Sequence, residues 1–217
     1  MSFKRFKIYF LAIAFSIVAS TLTFGTSVFY TGSDDITSFG PGYAELIVAG
    51  DSYSERFYVH EKDREIEMLP FFNAGTTISE NHKTLMQAFN SRHRFILFSI
   101  SVNDRHRGTH PMVFEYNLRE LLNKSLESKK IVFFHTYMQY SYAPFASDFC
   151  QFSTYEYDSI LRKLCAEYSN VYYIDMSDCG GLDYALDDGI HYSRAFDDKL
   201  YERLKAKIDE IRNVHNE

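Results

Sequence analysis

The stretch LIVAGDS, residues 46–52, joins an uninterrupted apolar run to two turn-forming residues and a serine. A short apolar run of this kind predicts a strand that is covered on both faces. Gly50 and Asp51 predict a turn, so we expect Ser52 where the strand ends and a helix begins. A hydroxyl at such a junction lies beside free backbone N–H groups and is open to substrate. Ser52 is therefore a candidate nucleophile.

A second short run, DGIH at residues 188–191, places a carboxylate and an imidazole three residues apart. A serine hydroxyl is a poor nucleophile by itself, and His191 is the candidate base that would take its proton. Asp188 would hold the imidazole in one tautomer and stabilise its charged form. Together the two runs supply the parts of a Ser-His-Asp site, although each run alone also fits an ordinary turn or loop.

Strand-like and helix-like segments alternate along the 217 residues, whose 46% hydrophobic content is enough for one sizeable core. The predicted strands cover residues 45–49, 66–72, 94–100, 131–135 and 171–175, and the main helices cover 79–91, 111–128, 155–168 and the residues after 193. This alternation predicts an α/β domain with three layers, α/β/α, around a five-stranded parallel sheet. Ligands of such sheets bind at the carboxyl ends of the strands, where Ser52, Gly75 and Asn103 are expected to converge.

The N-terminus differs from the rest of the chain. Residues 1–7 carry three basic side chains, and residues 8–30 are uncharged and long enough to cross a bilayer core of ~30 Å as a helix. The basic flank predicts a cytoplasmic stub at 1–7, a transmembrane signal anchor at 8–30 and an extracytoplasmic remainder, either periplasmic or at the cell surface. Two alternatives stay open. Small residues at 18–20 fit a cleaved signal peptide and a secreted protein, and the segment also fits a buried helix of a cytoplasmic protein.

Turn-forming and acidic residues at 31–43 predict a linker, which leaves residues 44–217 as one folded domain. The net charge is −6, and the three basic groups of residues 1–30 leave −9 on the remainder of the chain. A body this acidic is a poor candidate for binding nucleic acid.

Cysteine content and ligand spacing give little sign of a disulfide scaffold or a metal site. The three cysteines are too few for such a scaffold, and the sequence does not say which two would pair if one bridge forms: they are Cys150, Cys165 and Cys179. The metal-ligand spacings CxxC and HExxH are absent from the sequence, and no metal or other cofactor is expected.

Four short blocks of the chain together resemble the SGNH (GDSL-like) family of serine hydrolases. They are GDSYS at 50–54, NAG at 73–75, SVND at 101–104 and DGIH at 188–191. The resemblance implies a flavodoxin-like SGNH hydrolase fold for residues 44–217. It also implies a triad of Ser52, His191 and Asp188, and an oxyanion hole formed by Ser52, Gly75 and the Asn103 amide.

The chain departs from the family pattern at two positions. Ser101 stands where the third block usually begins with glycine, and Ile78 stands where the second block often has a further glycine. The first change could alter the backbone beside Asn103, and the second could alter the wall of the pocket. Neither change removes a reacting group.

Four further residues are candidates for contact with substrate. His106 follows Asn103 closely and would line the mouth of the pocket, although a solvated loop is the more common explanation of such a residue. Tyr137 and Tyr140 follow the fourth predicted strand, where they would stack on a sugar or cover the core. Tyr53, beside the nucleophile, would shape the pocket.

The sequence thus predicts a membrane-anchored serine esterase that removes short acyl groups, O-acetyl groups above all, from glycans of the cell envelope or outside the cell. Its partners would be a small acyl ester or acylated carbohydrate, and the membrane through the N-terminal helix. Two alternatives share this fold: an acyltransferase that uses the same triad, and a glycan-binding module without catalysis.

Overall fold

The computed structural model describes residues 45–137 and 152–214. The predicted membrane anchor at 8–30, the linker at 31–43, Tyr140 and Cys150 lie outside these ranges. Within the two described ranges, no helix is both long enough and apolar enough to span a bilayer.

Five parallel strands form one sheet, as the alternation of segments predicts. They are β1 (Glu45–Gly50), β2 (Glu67–Phe72), β3 (Phe95–Ser99), β4 (Ile131–His135) and β5 (Val171–Ile174). Their spatial order is β2-β1-β3-β4-β5, which is the flavodoxin-like order. The strand after β1 is added on one side of it and the later strands on the other, so the topological switch point lies between β1 and β3. Val48 of β1 lies between Pro70 and Leu97. Pro70 is tolerated because β2 is an edge strand, where a missing N–H breaks no ladder.

Helices cover both faces of this sheet. They are α1 (Ser52–Glu61), α2 (Ile78–Ala88), α3 (Val102–His106), α4 (Pro111–Glu127), α5 (Thr154–Glu167) and α6 (Arg194–Val214). Helices α1 and α6 pack against each other on one face, while α4 packs against α2 and α5 on the other. The three-layer α/β/α architecture is therefore confirmed for the described residues.

Local sequence signals explain where the helices on the second face begin. Thr77 and Glu80 form a reciprocal capping box at the start of α2, and Ser153 and Glu156 form another at the start of α5. Helix α4 begins at Pro111, whose missing N–H costs nothing in a first turn. All five residues of β3 and of β4 are buried, as expected for strands covered on both faces.

The structure differs from the sequence prediction in the segment that follows β3. The sequence predicts a loop there, whereas residues 102–106 form the short helix α3. The strand also ends at Ser99, one residue before the predicted end, because Ser101 turns the chain with a φ of 118°. A serine rarely adopts this left-handed region, which explains why a sequence pattern did not indicate the turn.

We expect the substitution Ser101→Gly to stabilise the protein. Glycine adopts a φ of 118° without strain, and the change also removes the buried Ser101 hydroxyl, which has no hydrogen-bond partner in the described part of the chain. These gains exceed the cost that arises because glycine has more conformational entropy in the unfolded chain. The free energy of unfolding should therefore rise by about 1 kcal/mol.

Thermal unfolding of Ser101→Gly beside Ser101→Ala measures this effect. The alanine variant loses the hydroxyl but keeps the strained Cβ, so it should melt below the glycine variant. A melting temperature of Ser101→Gly at or below that of the parent protein would contradict the prediction.

Candidate active site

Ser52 is the first residue of α1 and lies at the carboxyl end of β1. The turn before it depends on Gly50, whose φ is 143° and where a Cβ would lie only 2.1 Å from the carbonyl oxygen of Ser99. Asp51 caps the helix by accepting a 3.0 Å hydrogen bond from the Tyr53 N–H. The Ser52 N–H belongs to the first turn and has no partner within the helix. This junction leaves the Ser52 hydroxyl half-buried at the rim of the sheet.

His191 lies between Ser52 and Asp188. Its Nε2 is 3.0 Å from the Ser52 Oγ, and its Nδ1 is 2.7 Å from the Asp188 Oδ2. An ionised carboxylate only accepts hydrogen bonds, so Nδ1 carries the ring proton and Nε2 accepts from the Ser52 hydroxyl. The structure therefore brings together the three residues that the sequence assigns to a triad.

Asp188 and His191 are held within one short turn. The second carboxylate oxygen of Asp188, Oδ1, accepts hydrogen bonds from the N–H groups of Ile190 (2.8 Å) and His191 (2.9 Å). Partial burial opposes ionisation of Asp188, but the hydrogen bonds from His191 and Ile190 outweigh it and lower its pKa below the usual range. Asp188 is thus a carboxylate at neutral pH, as the orientation of His191 requires.

Gly75 and Asn103 follow β2 and β3, the two strands that flank β1. Gly75 is exposed and has a φ of 74°, which a residue with a side chain rarely adopts. The Arg107 guanidinium donates to the Gly75 carbonyl (2.5 Å) and to Glu80 (2.5 Å), which ties the Gly75 loop to the end of α3. The Asn103 amide donates one hydrogen to Asp51 at 3.3 Å, which leaves its second hydrogen for a ligand.

Two buried carboxyl groups, neither of them expected from the sequence, lie under this site. Asp51 is 1% exposed, and burial, with a smaller contribution from the charge of Asp104, raises its pKa to about 8. Burial likewise raises the pKa of Asp104 to about 6, although its Oδ2 accepts a hydrogen bond from the Ile78 N–H. The only sequence signal was their position inside two of the matched blocks.

The residues expected to contact substrate divide into two groups. The rings of Tyr53 and Tyr137 are both buried, and for Tyr137 this agrees with the alternative that it covers the core. His106 is half-buried, and its pKa is lowered by burial and by the charges of Arg105 and His191. His106 is therefore close enough to His191 for an electrostatic interaction between the two side chains, and it lies at the candidate site.

The described residues contain no group of three or more His, Cys, Asp or Glu side chains that could hold a metal ion. Cys165 is a free thiol in the structure, and the Cys179 Sγ lies 3.6 Å from the Asp178 carboxylate.

Neither a known family model nor a curated protein matches the sequence, but solved structures match the fold. A GDSL-like lipase from Bacteroides thetaiotaomicron superposes with a TM-score of 0.67 at 11% identity, over 77% of this chain and 89% of that one. An acetyl xylan esterase gives 0.62 at 15% identity, over 76% and 99%. A carbohydrate esterase of family 3 from Talaromyces cellulolyticus gives 0.58 at 10% identity, over 77% and 97%.

The fold is therefore that of the SGNH (GDSL-like) hydrolases, a class of serine hydrolases that act on carboxylic esters. This confirms the resemblance that the four sequence blocks indicate. Identities of 10–15% show a shared fold, so the chemistry of this chain has to be argued from its own residues.

We expect stability to fall as pH rises from about 4 to about 8, in part because of Asp51. In this window the unfolded chain has already released the Asp51 proton, while the folded protein still binds it. Rising pH therefore favours the unfolded state. Asp104 contributes with the same sign over a narrower range.

Melting temperatures of Asp51→Asn at pH 5 and pH 8 measure this contribution. The variant removes the titrating proton, so its melting temperature should depend less on pH than that of the parent protein. Asp63→Asn, which changes an exposed carboxylate, is the matched control and should retain the parental dependence. An equal pH dependence in Asp51→Asn and the parent would contradict the pKa of about 8 for Asp51.

Proposed function

We propose that this protein is a serine esterase that hydrolyses short acyl esters, with O-acetyl groups on cell-envelope or extracellular glycans as its substrate class. The observation that carries the proposal is the continuous hydrogen-bonded chain from the Ser52 Oγ through His191 to Asp188. Such a chain activates a hydroxyl that would otherwise be a poor nucleophile.

The first half of the reaction transfers the acyl group to the enzyme. The Ser52 Oγ attacks the ester carbonyl carbon while its proton passes to His191 Nε2, and Asp188 stabilises the resulting imidazolium. The bond from carbon to the leaving alcohol then breaks, and His191 returns the proton to that oxygen. The alcohol leaves, and Ser52 carries the acyl group as an ester.

The second half releases the acid. Water attacks the acyl-enzyme while His191 takes one of its protons, and the same proton then returns to Ser52. In both halves negative charge develops on the carbonyl oxygen. The N–H groups of Ser52 and Gly75 and the amide of Asn103 are the donors proposed to stabilise it, and loss of one such donor typically lowers turnover on the order of 10²–10³-fold.

Two considerations favour a short acyl group on a carbohydrate. The connections that leave β1, β2 and β3 at the site are short, so the described residues contain no insertion there that would shelter a long acyl chain. Two of the similar structures are an acetyl xylan esterase and a carbohydrate esterase. A third is a GDSL-like lipase, which makes acyl chain length the property to measure.

The proposed location is outside the cytoplasm, with residues 8–30 as a membrane anchor. Its support is the uncharged segment behind a basic flank. Cell fractionation followed by protease treatment of intact cells or spheroplasts tests this proposal. The full chain should sediment with membranes and be digested from outside, whereas a soluble, protected protein would refute the anchor.

Hydrolysis of p-nitrophenyl acetate, butyrate and octanoate by the full-length protein tests the activity. We expect kcat/KM to be highest for acetate, and we expect Ser52→Ala and His191→Ala each to lower kcat by about 10⁴-fold or more. Ser79→Ala, which removes an exposed hydroxyl from α2, is the matched control and should retain full activity. An active Ser52→Ala variant would refute the mechanism.

The same proteins distinguish the other two functions that share this fold. If the parent protein is inert toward all three esters, labelling with a serine-directed fluorophosphonate becomes decisive. Labelling that depends on Ser52 would indicate an acyltransferase that needs an acceptor. Formation of acetylated glycan after an acetylated donor and a glycan acceptor are added would then show the transfer. Absence of labelling would indicate a glycan-binding module without catalysis.

A further inference from the structure

Tyr53, the residue after the candidate nucleophile, contacts both neighbours of the candidate base. Its hydroxyl donates a 2.8 Å hydrogen bond to the carbonyl oxygen of Ile190. Its ring stacks on the ring of Tyr192, with centroids 4.5 Å apart and planes inclined by 25°. His191 lies between Ile190 and Tyr192 in the chain, and its ring meets the Tyr53 ring edge-on, with centroids 5.9 Å apart. One side chain thus holds the backbone before His191 and the side chain after it.

The stack continues into the core of the domain. Tyr192 stacks in turn on Phe196 of α6, with centroids 3.9 Å apart, and Phe196 is fully buried. The buried ring of His135 in β4 meets both Tyr192 and Phe196 edge-on. The three stacked rings therefore connect α1, the turn that holds His191, and α6.

Contacts within the turn cannot set the distance from His191 to Ser52. Among the described residues, the hydrogen bonds that Asp188 accepts come from Ile190 and His191, so they join the acid and the base to each other within one turn. Tyr53 instead belongs to the same helix as Ser52 and adjoins it directly. A contact made by Tyr53 therefore fixes this turn relative to the nucleophile.

We infer that Tyr53 is a positioning residue, which places His191 at hydrogen-bonding distance from Ser52 through its hydroxyl bond to Ile190 and its stack on Tyr192. This inference rests on the proposed function and replaces the expectation that Tyr53 contacts substrate. Catalysis depends steeply on such distances, since a misplacement of 1 Å can lower a rate about 100-fold.

The chemical state of Tyr53 suits this role. Burial, followed by the neighbouring Tyr192 and Tyr137, raises the pKa of Tyr53 well above its usual range. Its hydroxyl therefore stays protonated and donates to Ile190 throughout the pH range in which an esterase works. The positioning contact should therefore be independent of pH over that range.

Tyr53→Phe tests the inference because it removes the hydroxyl and keeps the ring. We expect kcat of the full-length protein for p-nitrophenyl acetate to fall about tenfold, with KM changed less than about twofold, at every pH measured. Tyr53→Leu, which removes the stack as well, should lower kcat further. Tyr157→Phe is the matched control, because Tyr157 is also buried and donates to a backbone carbonyl, that of Thr109.

A double substitution separates positioning from general stability. If Tyr53 acts through His191, adding Tyr53→Phe to His191→Ala should cause no further loss of the residual rate. A tenfold loss in both backgrounds, or a kcat of Tyr53→Phe equal to that of Tyr157→Phe, would overturn the inference.

Amide hydrogen exchange gives a readout that does not require esterase activity. The N–H groups of residues 186 and 189–191 are bonded within the turn. They should exchange faster in Tyr53→Phe than in the parent protein, while the amides of β1 and β3 remain unchanged. If the parent protein proves inert toward esters, the proposed function fails, and this exchange still decides the inference. Unchanged exchange at 186–191 would overturn it.

Discussion

The close approach of Gly50 to β3 is the constraint on which the site depends. The Asp51 N–H donates to the Ser99 carbonyl at 3.1 Å, and the absence of a side chain at Gly50 permits this distance. The Gly50 carbonyl in turn accepts from the Asn73 N–H and from the Asn81 side chain. One peptide thus joins the connections that leave β1, β2 and β3, which are the three connections that carry Ser52, Gly75 and Asn103. A side chain at Gly50 would separate all three.

Much of the fold was predictable from sequence because its signals are local. Buried parallel strands give continuous apolar runs, and β4 has the same bounds as its predicted segment. The helix α3 was not predictable, because it depends on the left-handed Ser101, a conformation for which serine has no preference.

At the candidate site, too, local sequence patterns predicted some features, whereas contacts between distant segments produce the others. The four blocks identified the residues that meet in space, because each block follows the end of a strand or lies in one turn. The role of Tyr53 could not be deduced, since its partners Ile190 and Tyr192 are more than a hundred residues away along the chain. The burial of Asp51 also results from packing, and no local pattern distinguishes it from an ordinary helix cap.

A polar contact also joins the last turn of α1 to the first turn of α6. His60 of α1 lies 2.6 Å from the buried carboxyl of Asp197 in α6. Burial raises the pKa of Asp197 well above its usual range and lowers that of His60, so it favours the neutral form of each group. The contact holds α1 against α6.

Ser52 and His191 stand 139 positions apart in the chain, and this separation has a consequence for the order of events during synthesis. The candidate nucleophile follows β1, whereas the candidate acid and base follow β5. A growing chain therefore cannot complete the proposed triad until all five strands and the turn after β5 have been synthesised.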